Sequence, residues 1–402
     1  MSFTGQQYKK IVPATSGSSV NDLLKIKTAG GYNLVVDEVP EWASISVTSF
    51  TPFANDNDTQ IPITATKTFL TTDGSTRTGT VELKLYYGGQ DVRTLEFDIN
   101  QASKKMTFTA GTLSGTKGSS WTTYMKLNTG DKDHNYYYEL VSCPDWANLG
   151  TPGTKLGPIK SKDAQNIFAS ATATKTSLEA RDGIVEVKVY YESESEGTIL
   201  EVPIHQAASS ISLSGGTLGS DKNASGTAIT FSNANDLTYE VLSQPTWLNL
   251  SSTSGTVSGG TYNLSGTTNE FNLGSTRTGT VTVKIMDGSE VLGTKDVTVT
   301  QTGAGITVTG TLDMDKKAED KDKALTIKNA NGYHYTITST PDWLSITSGV
   351  TEGVITNNTL RMKITKTANT TGGLRSGDVH VQLSKNGEIA GTLTATFSQK
   401  AK

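Results

Sequence analysis

Four tripeptides constrain this chain more than any other feature. Pro40-Glu41-Trp42, Pro144-Asp145-Trp146, Pro245-Thr246-Trp247 and Pro341-Asp342-Trp343 stand at nearly even intervals along 402 residues. Each has company in a fixed order. A tyrosine (Tyr32, Tyr138, Tyr239, Tyr335) precedes each tryptophan by eight to ten positions, and an Arg-x-Gly (Arg77, Arg181, Arg277, Arg375) follows it by thirty to thirty-five. A glutamine (Gln101, Gln206, Gln301, Gln399) closes each set about 24 residues past the arginine. Several anchors repeating in one order at a period near one hundred mark a tandem array of one domain.

The segments between the anchors say what kind of domain it is. After Arg-x-Gly come TVELKLYY, IVEVKVYY, TVTVKI and DVHVQL, with Val, Leu or Ile at every second position. Period-two alternation is the mark of a strand with one buried face. Forty glycines and only 34% hydrophobic residues fit many turns and half-exposed strands, and no helical periodicity competes. About seven short strands per repeat, separated by Gly, Asn, Asp and Ser clusters, predict an all-β chain of four immunoglobulin-like sandwiches. The closing glutamines place the boundaries at 1–103 (with a polar N-terminal arm), 104–208, 209–303 and 304–402, with linkers of a few residues.

Composition excludes several classes of function. Thirty-five Lys and Arg against 39 Asp and Glu leave a formal charge of −4 and no basic block, so nucleic acid is not an expected partner. The densest charge run, Asp313 to Lys323, alternates in sign and reads as a solvated loop or strand edge. No stretch approaches the roughly 18 apolar residues that span a bilayer, and the N-terminus lacks the apolar core of a secretory signal. The expectation is a protein made without export, or one whose signal has been removed, with no membrane partner. Cys143 stands alone, so the sandwiches have no internal disulfide. His134, His205, His334 and His380 are scattered, and no nucleophile elbow, P-loop or zincin motif is present. The chain is expected not to be an enzyme and to need no cofactor. Calcium is weighed at Asn55–Asp58 and at Asp131 with Asp133, but these residues are also ordinary turn formers and lack the EF-hand pattern.

The repeat anchors carry two readings each. Trp42, Trp146, Trp247 and Trp343 suit stacking on a sugar ring, yet the proline before and the apolar alternation after place them in the core, plugging one end of a sandwich. Arg77, Arg181, Arg277 and Arg375 suit a carboxylate ligand. The neighbouring glycine instead suggests a turn needing positive φ, with the arginine capping loop carbonyls or lying over the sandwich edge. Glu192, Glu194 and Glu196 read as a charged hairpin tip. The pairs Tyr86-Tyr87 and Tyr190-Tyr191 should each expose one ring, because neighbours on a strand face opposite ways. With Trp121, Tyr136 and Tyr137 they make up the candidate contact surface, centred on the aromatic-rich second repeat.

The order P-x-W-[LA], then R-x-G with an alternating strand, then a terminal strand ending in Gln resembles the BACON domain. It is clearest at Pro245-Thr-Trp-Leu-Asn-Leu, Arg277-Thr-Gly-Thr-Val-Thr-Val and Val297-Thr-Val-Thr-Gln301. The resemblance implies an immunoglobulin-like module of Bacteroidetes surface proteins and of crAss-like phages, and the family name implies carbohydrate binding. A chain built only of such modules is similar to a phage virion component: a capsid decoration protein, head fibre or tail adhesin. Its partners would be other virion proteins, with host-surface or mucin glycans as a further contact. The alternative is a carbohydrate-binding protein on a Bacteroidetes cell surface, and a more distant one is an accessory domain of a glycoside hydrolase.

Overall fold

A computed structural model describes residues 11–26, 31–47, 49–50, 59–310, 317–347 and 350–401. The described residues form strands, bridges and turns with no helix. The chain divides into two compact units, Met1–Ser209 and Ser210–Lys402. Each unit holds two successive β-sandwiches.

The sheet topology follows from the alternating segments. In the first sandwich the strand that carries Arg-x-Gly, Thr76–Tyr87, lies between Tyr32–Glu38 and Gln90–Ala102, with Ser49–Phe50 at the edge. The facing sheet is Ser19–Ile26, Thr59–Ala65 and Ala43–Ile45. The other sandwiches keep this plan: Arg181–Tyr191, Arg277–Asp287 and Arg375–Lys385 each pair with a hairpin partner that ends in the closing glutamine. The alternating residues supply the cores. Val81, Leu83 and Leu85, then Val185, Val187 and Val189, Val281, Val283 and Ile285, and Val379, Val381 and Leu383 are all buried. The second and third sandwiches gain further short strands. Thr112–Leu113 and Thr217–Leu218, for example, pair in parallel with the closing strands.

Register corrects one feature of the repeat. Tyr138, Tyr239 and Tyr335 pair with Val189, Ile285 and Leu383, each eight residues past its arginine. In the first sandwich that position faces Leu34, paired with Leu85, whereas Tyr32 pairs with Tyr87. The counterpart of Tyr32 is therefore Tyr136, which pairs with Tyr191. This two-residue offset explains why the tyrosine-to-tryptophan spacing varies between eight and ten. Across the charge run, residues 311–316 lie outside the described residues, while Glu319–Lys328 is a strand paired with Thr359–Lys366.

Within each unit a short linker ties one sandwich to the next. In the first unit, Lys104 N–H donates to Phe69 O and Met106 N–H to Thr71 O, so Leu70–Thr71 and Lys104–Lys105 form a two-stranded parallel ladder. In the second, Ile306 N–H donates to Leu273 O and Ala304 N–H to Asn272 O. Both linkers end on a buried apolar residue, Met106 or Ile306, five positions past the closing glutamine.

Candidate functional site

The recurrent residues form one clamp, built four times. Each arginine Nε donates to the Oε1 of the closing glutamine, at 2.8 Å from Arg77 to Gln101, 2.7 Å from Arg181 to Gln206, 2.8 Å from Arg277 to Gln301 and 2.8 Å from Arg375 to Gln399. The pair is opposite in register, which fixes the roughly 24-residue spacing seen in the sequence. All four glutamines are fully buried. A buried amide must be satisfied. Their Nε2 groups donate to carbonyls of the loop before the arginine: Lys67, Lys175, Glu270 and Thr367. The guanidinium lies over the tryptophan ring at 5.0, 5.3, 5.3 and 4.7 Å from the first to the fourth sandwich. Trp42, Trp146 and Trp247 are buried, and Trp343 is half-buried. Burial lowers the affinity of Arg77 for its proton, although guanidinium remains charged at any physiological pH.

The glycine of Arg-x-Gly has a different task from the turn expected of it. Gly79, Gly183, Gly279 and Gly377 lie inside strands, and none has positive φ. A Cβ on any of them would come within 2.3 to 2.5 Å of the proline Cγ of the same sandwich. Glycine is required because the Pro-x-Trp corner packs directly on the strand backbone.

The aromatic candidates separate into exposed and buried sets. Tyr87 is 54% exposed and Trp121 45%, the latter lying over Gly111 and edge-on to Tyr124. Tyr86 and Tyr137 are half-buried, with the Lys155 ammonium 5.0 Å from the Tyr137 ring. Tyr136, Tyr190 and Tyr191 are buried, so they cannot belong to an exposed contact surface, and the Tyr190-Tyr191 pair exposes neither ring. The reason is the hairpin that follows. Gly197 folds against the Tyr190 ring, Lys155 lies 4.0 Å over it, and its hydroxyl donates to Glu139 at 2.6 Å. Burial and the Glu139 carboxylate push the Tyr190 hydroxyl up to about 12. Tyr191 packs edge-on against Tyr136, and its hydroxyl lies near the Thr15 side chain of the preceding sandwich.

That last contact belongs to a seam. The acidic hairpin is no idle tip: Glu194 Oε1 accepts from Thr68 Oγ1 at 2.7 Å and from Thr68 N–H at 3.3 Å, and Glu196 pairs with Lys67 at 3.1 Å. Glu192 instead accepts from Asn135 N–H at 2.8 Å within its own sandwich. A polar cleft of about 450 Å³ lies between hairpin and loop, floored by Arg77. Leu70, from the same clamped loop, is buried in the core of the second sandwich. Asp131 completes the seam. It is buried and accepts from Lys104 at 3.0 Å, His134 Nδ1 at 2.9 Å and Tyr136 at 3.1 Å. Burial pushes its carboxyl up, but the Asp133 N–H, His134, Lys104 and Tyr136 outweigh burial and hold it well below the usual carboxylate range.

The second unit builds the same seam from different residues. Leu273 and Phe271, on the loop before Arg277, pack into the core of the fourth sandwich, with a Leu273 methyl seated on Gly391. Asp221, on the loop corresponding to Thr15, accepts from the Tyr333 hydroxyl at 3.1 Å and pairs with Lys385 at 2.7 Å. Burial and the Asp221 carboxylate drive the Tyr333 hydroxyl far above its ordinary value. Lys222 pairs with Glu388 at 2.5 Å. Tyr333 and Lys385 stand where the second sandwich has Tyr136 and Tyr191. Sequence reasoning missed both seams, because a loop leucine and a hairpin glutamate carry no motif.

Among the described residues no group of three or more His, Cys, Asp or Glu converges as a metal site. Asp131 is engaged by Lys104 and His134, and Asp133 by Lys132, while residues 55–58 lie outside the described residues. His205 pairs with Asp182 and His380 with Thr394, each on the outer face of a hairpin. No described helix is long and apolar enough to cross a membrane.

Comparison with known proteins places this geometry. Residues 206–304 match the viral BACON domain. No curated protein matches the chain. A protein of unknown function from Porphyromonas gingivalis W83 is 10% identical over 49% of this chain and 99% of its own, with a TM-score of 0.20. Cadherin domains 3–6 of protocadherin gamma B2 are 11% identical over 100% and 99%, with a TM-score of 0.20. Zebrafish RET cadherin-like domains 1 to 4 are 8% identical over both full lengths, with the same score. Likenesses this distant carry no argument. The stretch that matches the viral domain contains the third clamp, Trp247, Arg277 and Gln301, and the chain is an array of immunoglobulin-like sandwiches, one of which matches the BACON domain while the other three repeat its clamp.

Proposed function

We propose that this chain is a non-enzymatic structural and interaction component of a bacteriophage particle: a capsid decoration protein, head fibre or tail adhesin. The observation that carries the reading is the viral character of the matching domain. The geometry supports it. The most recurrent polar side chains are spent inside the clamp, and the loops that clamp holds are spent joining sandwiches. Modules joined in this way suit fixed display from an assembled surface. Docking to other virion proteins, with glycans as an added contact, belongs to the same proposal.

Mass spectrometry of purified particles tests it. The protein should be recovered at a copy number set by capsid or tail symmetry. Recovery instead from the outer membrane of an uninfected bacterium, bound to polysaccharide, would overturn the reading in favour of a glycan-binding surface protein.

A further inference from the structure

The closing strand of each sandwich has an inner side, paired with the Arg-x-Gly strand, and an outer side that is mostly open. In the second and third sandwiches a two-residue parallel strand covers only its end, Thr112–Leu113 against His205 and Gln206 and Thr217–Leu218 against Thr300 and Gln301. In the first, Val12 bridges Gln101. In the fourth, Glu388–Gln399 is the last strand of a four-stranded sheet, and among the described residues no strand pairs with its outer side. Thr300 N–H donates outward to Gly216 O in the third sandwich, and Ser398 stands at the same place before its closing glutamine. Counting back in twos turns the N–H and C=O of Thr396, Thr394 and Thr392 to this open side. The open stretch runs from the bulge beside Gly391 to Phe397, on which Gly310 packs.

An open edge is a template for another strand, and proteins protect such edges with charge or proline. Three of the closing strands do so at one position, five residues before the glutamine: Glu96, Glu201 and Asp296, all exposed. The first adds Asp98. The second adds Pro203, which has no N–H to offer on the outer side. The fourth strand has exposed Thr394 at that position, flanked by exposed Thr392 and Thr396, and neither a charge nor a proline between Gly391 and Gln399. Two of these hydroxyls are engaged within their own sheet, Thr394 with His380 Nδ1 at 3.1 Å and Thr396 with the Asp378 carboxylate at 2.7 Å. What faces outward is backbone.

We infer that this edge pairs with the same edge of a second copy of the chain, antiparallel about a two-fold axis through Thr394, joining two four-stranded sheets into one. The register argues for that occupant. About such an axis each residue meets the one equally far on the other side, so Thr394 faces its own copy and Thr392 faces Thr396, neutral pairs of a type that suits cross-strand contact. Each outward pair exchanges two backbone bonds, about six in all. The same axis in the other sandwiches would set Glu96, Glu201 or Asp296 directly against itself, and like charges opposite each other oppose pairing. One edge of the four is therefore open to its own copy. The antiparallel sense also clears the third sandwich, which is joined at the Gly391 end through Leu273 and so leaves from opposite ends of the shared strand pair. A contact of this kind is isologous and closes at two chains. The inference stands on the strand edges and is independent of the virion reading.

Sedimentation equilibrium of the full chain tests it. The parent should form a dimer and nothing larger at micromolar to sub-millimolar concentration. Thr394→Asp gives this edge the charge its three siblings carry, and it should weaken the dimer at least about tenfold, as should Thr394→Lys. The site is exposed and the siblings hold an acid there, so each variant should melt like the parent. Mixing is the decisive arm, because residue 394 meets its own copy only about this axis. An equimolar mixture of Thr394→Asp and Thr394→Lys should form a one-to-one dimer at least about tenfold tighter than either variant alone. Asp296→Lys, at the corresponding position of the third sandwich, should leave the parent's dimer unchanged. Amide exchange reads the backbone directly: the N–H groups of Thr392, Thr394 and Thr396 should slow at least about tenfold as the dimer fills. A parent that stays monomeric to about 1 mM, a mixture no tighter than its components, or a dimer whose three threonine amides exchange as in the monomer would overturn the proposal. A dimer weakened by Asp296→Lys and untouched by Thr394→Asp would overturn the assigned edge.

Discussion

Replacing Gly279 with alanine adds one methyl group and should destabilise a whole sandwich. Its Cβ would stand 2.3 Å from Pro245 Cγ, 2.9 Å from Pro245 Cβ and 3.2 Å from Trp247 Cζ2. Ordinary carbon contacts begin near 3.5 Å, so the proline ring must retreat by more than about 1 Å. It has little room to do so, because Pro245 O accepts from Leu248 N–H at 3.0 Å and Trp247 is held under the Arg277 guanidinium. Overpacking of this kind costs about 1–3 kcal/mol, and the overlap lies at the upper end; alanine's lower backbone entropy returns about 0.5–1. The net expectation is about 2 kcal/mol lost. That lowers the melting temperature by roughly 8–16 °C if the third sandwich melts alone, or roughly 4–8 °C if its unit melts as one. Gly260→Ala is the control, since nothing lies within 4 Å of its Cβ and its φ is ordinary. It should be neutral to slightly stabilising. Adding Pro245→Ala to Gly279→Ala should recover at least about 1 kcal/mol as a coupling energy. Calorimetry and urea titration of these three variants and of Pro245→Ala alone read all of these values. A Gly279→Ala variant as stable as Gly260→Ala would refute the packing account of Arg-x-Gly.

Two further perturbations address the first seam. Because the Asp131 carboxyl is held below its unfolded value, its contribution is present above about pH 4 and is lost as the pH falls toward its own lower value. Asp131→Asn should therefore cost about 2–3 kcal/mol at pH 7, with the gap from the parent narrowing by pH 2.5 in urea titrations; a gap that does not change with pH would exclude the ionised carboxylate as the cause. Glu194→Ala removes the acceptor for both Thr68 donors. It should speed hydrogen exchange at the Thr68 amide by roughly tenfold, corresponding to about 1–1.5 kcal/mol, while leaving the third sandwich unchanged; equal rates in parent and variant would remove Glu194 from the seam.

The members of the clamp, though not the arginine–glutamine bond that joins them, were legible in the sequence because they answer to one another at fixed register. Arginine and glutamine face each other across a hairpin, so an insertion that shifted one against the other would break a bond to a fully buried amide. Spacing recorded that constraint four times. Direction of the glycine's role was not legible, since a strand glycine and a turn glycine look alike until the proline above it is placed. The tyrosine series misaligned by two for a related reason: a shift of two on a strand keeps the same face, so Tyr32 and Leu34 both satisfy the pattern that Tyr138 sets.

The contact surface was the harder inference, and the aromatic residues led it astray. Tyr136 and Tyr191 stand out in the sequence for the property that makes them useful inside a seam, a large apolar body with a hydroxyl that reaches Asp131 or Thr15. Alternation along a strand states which residues share a face, but not whether another sandwich covers that face. The fourth sandwich meets the same need with Lys385 and Asp221, a charge pair in place of a ring pair, and shares no residue type with Tyr191 and Thr15. Seams of this chain are thus conserved in position and free in chemistry, whereas its clamps are fixed in both. The difference follows from burial. A fully buried glutamine admits one arrangement of donors, while a seam whose polar pair can be half-buried, as Asp221 and Lys385 are, accepts any pair that fills the space and satisfies its polar atoms. The position of a seam is therefore set by the clamp, which holds the loop carbonyl of Lys67 or Glu270 and so delivers Leu70 or Leu273 to the next sandwich. The motif visible in the sequence builds the interface, with Arg77 flooring the cleft of the first seam.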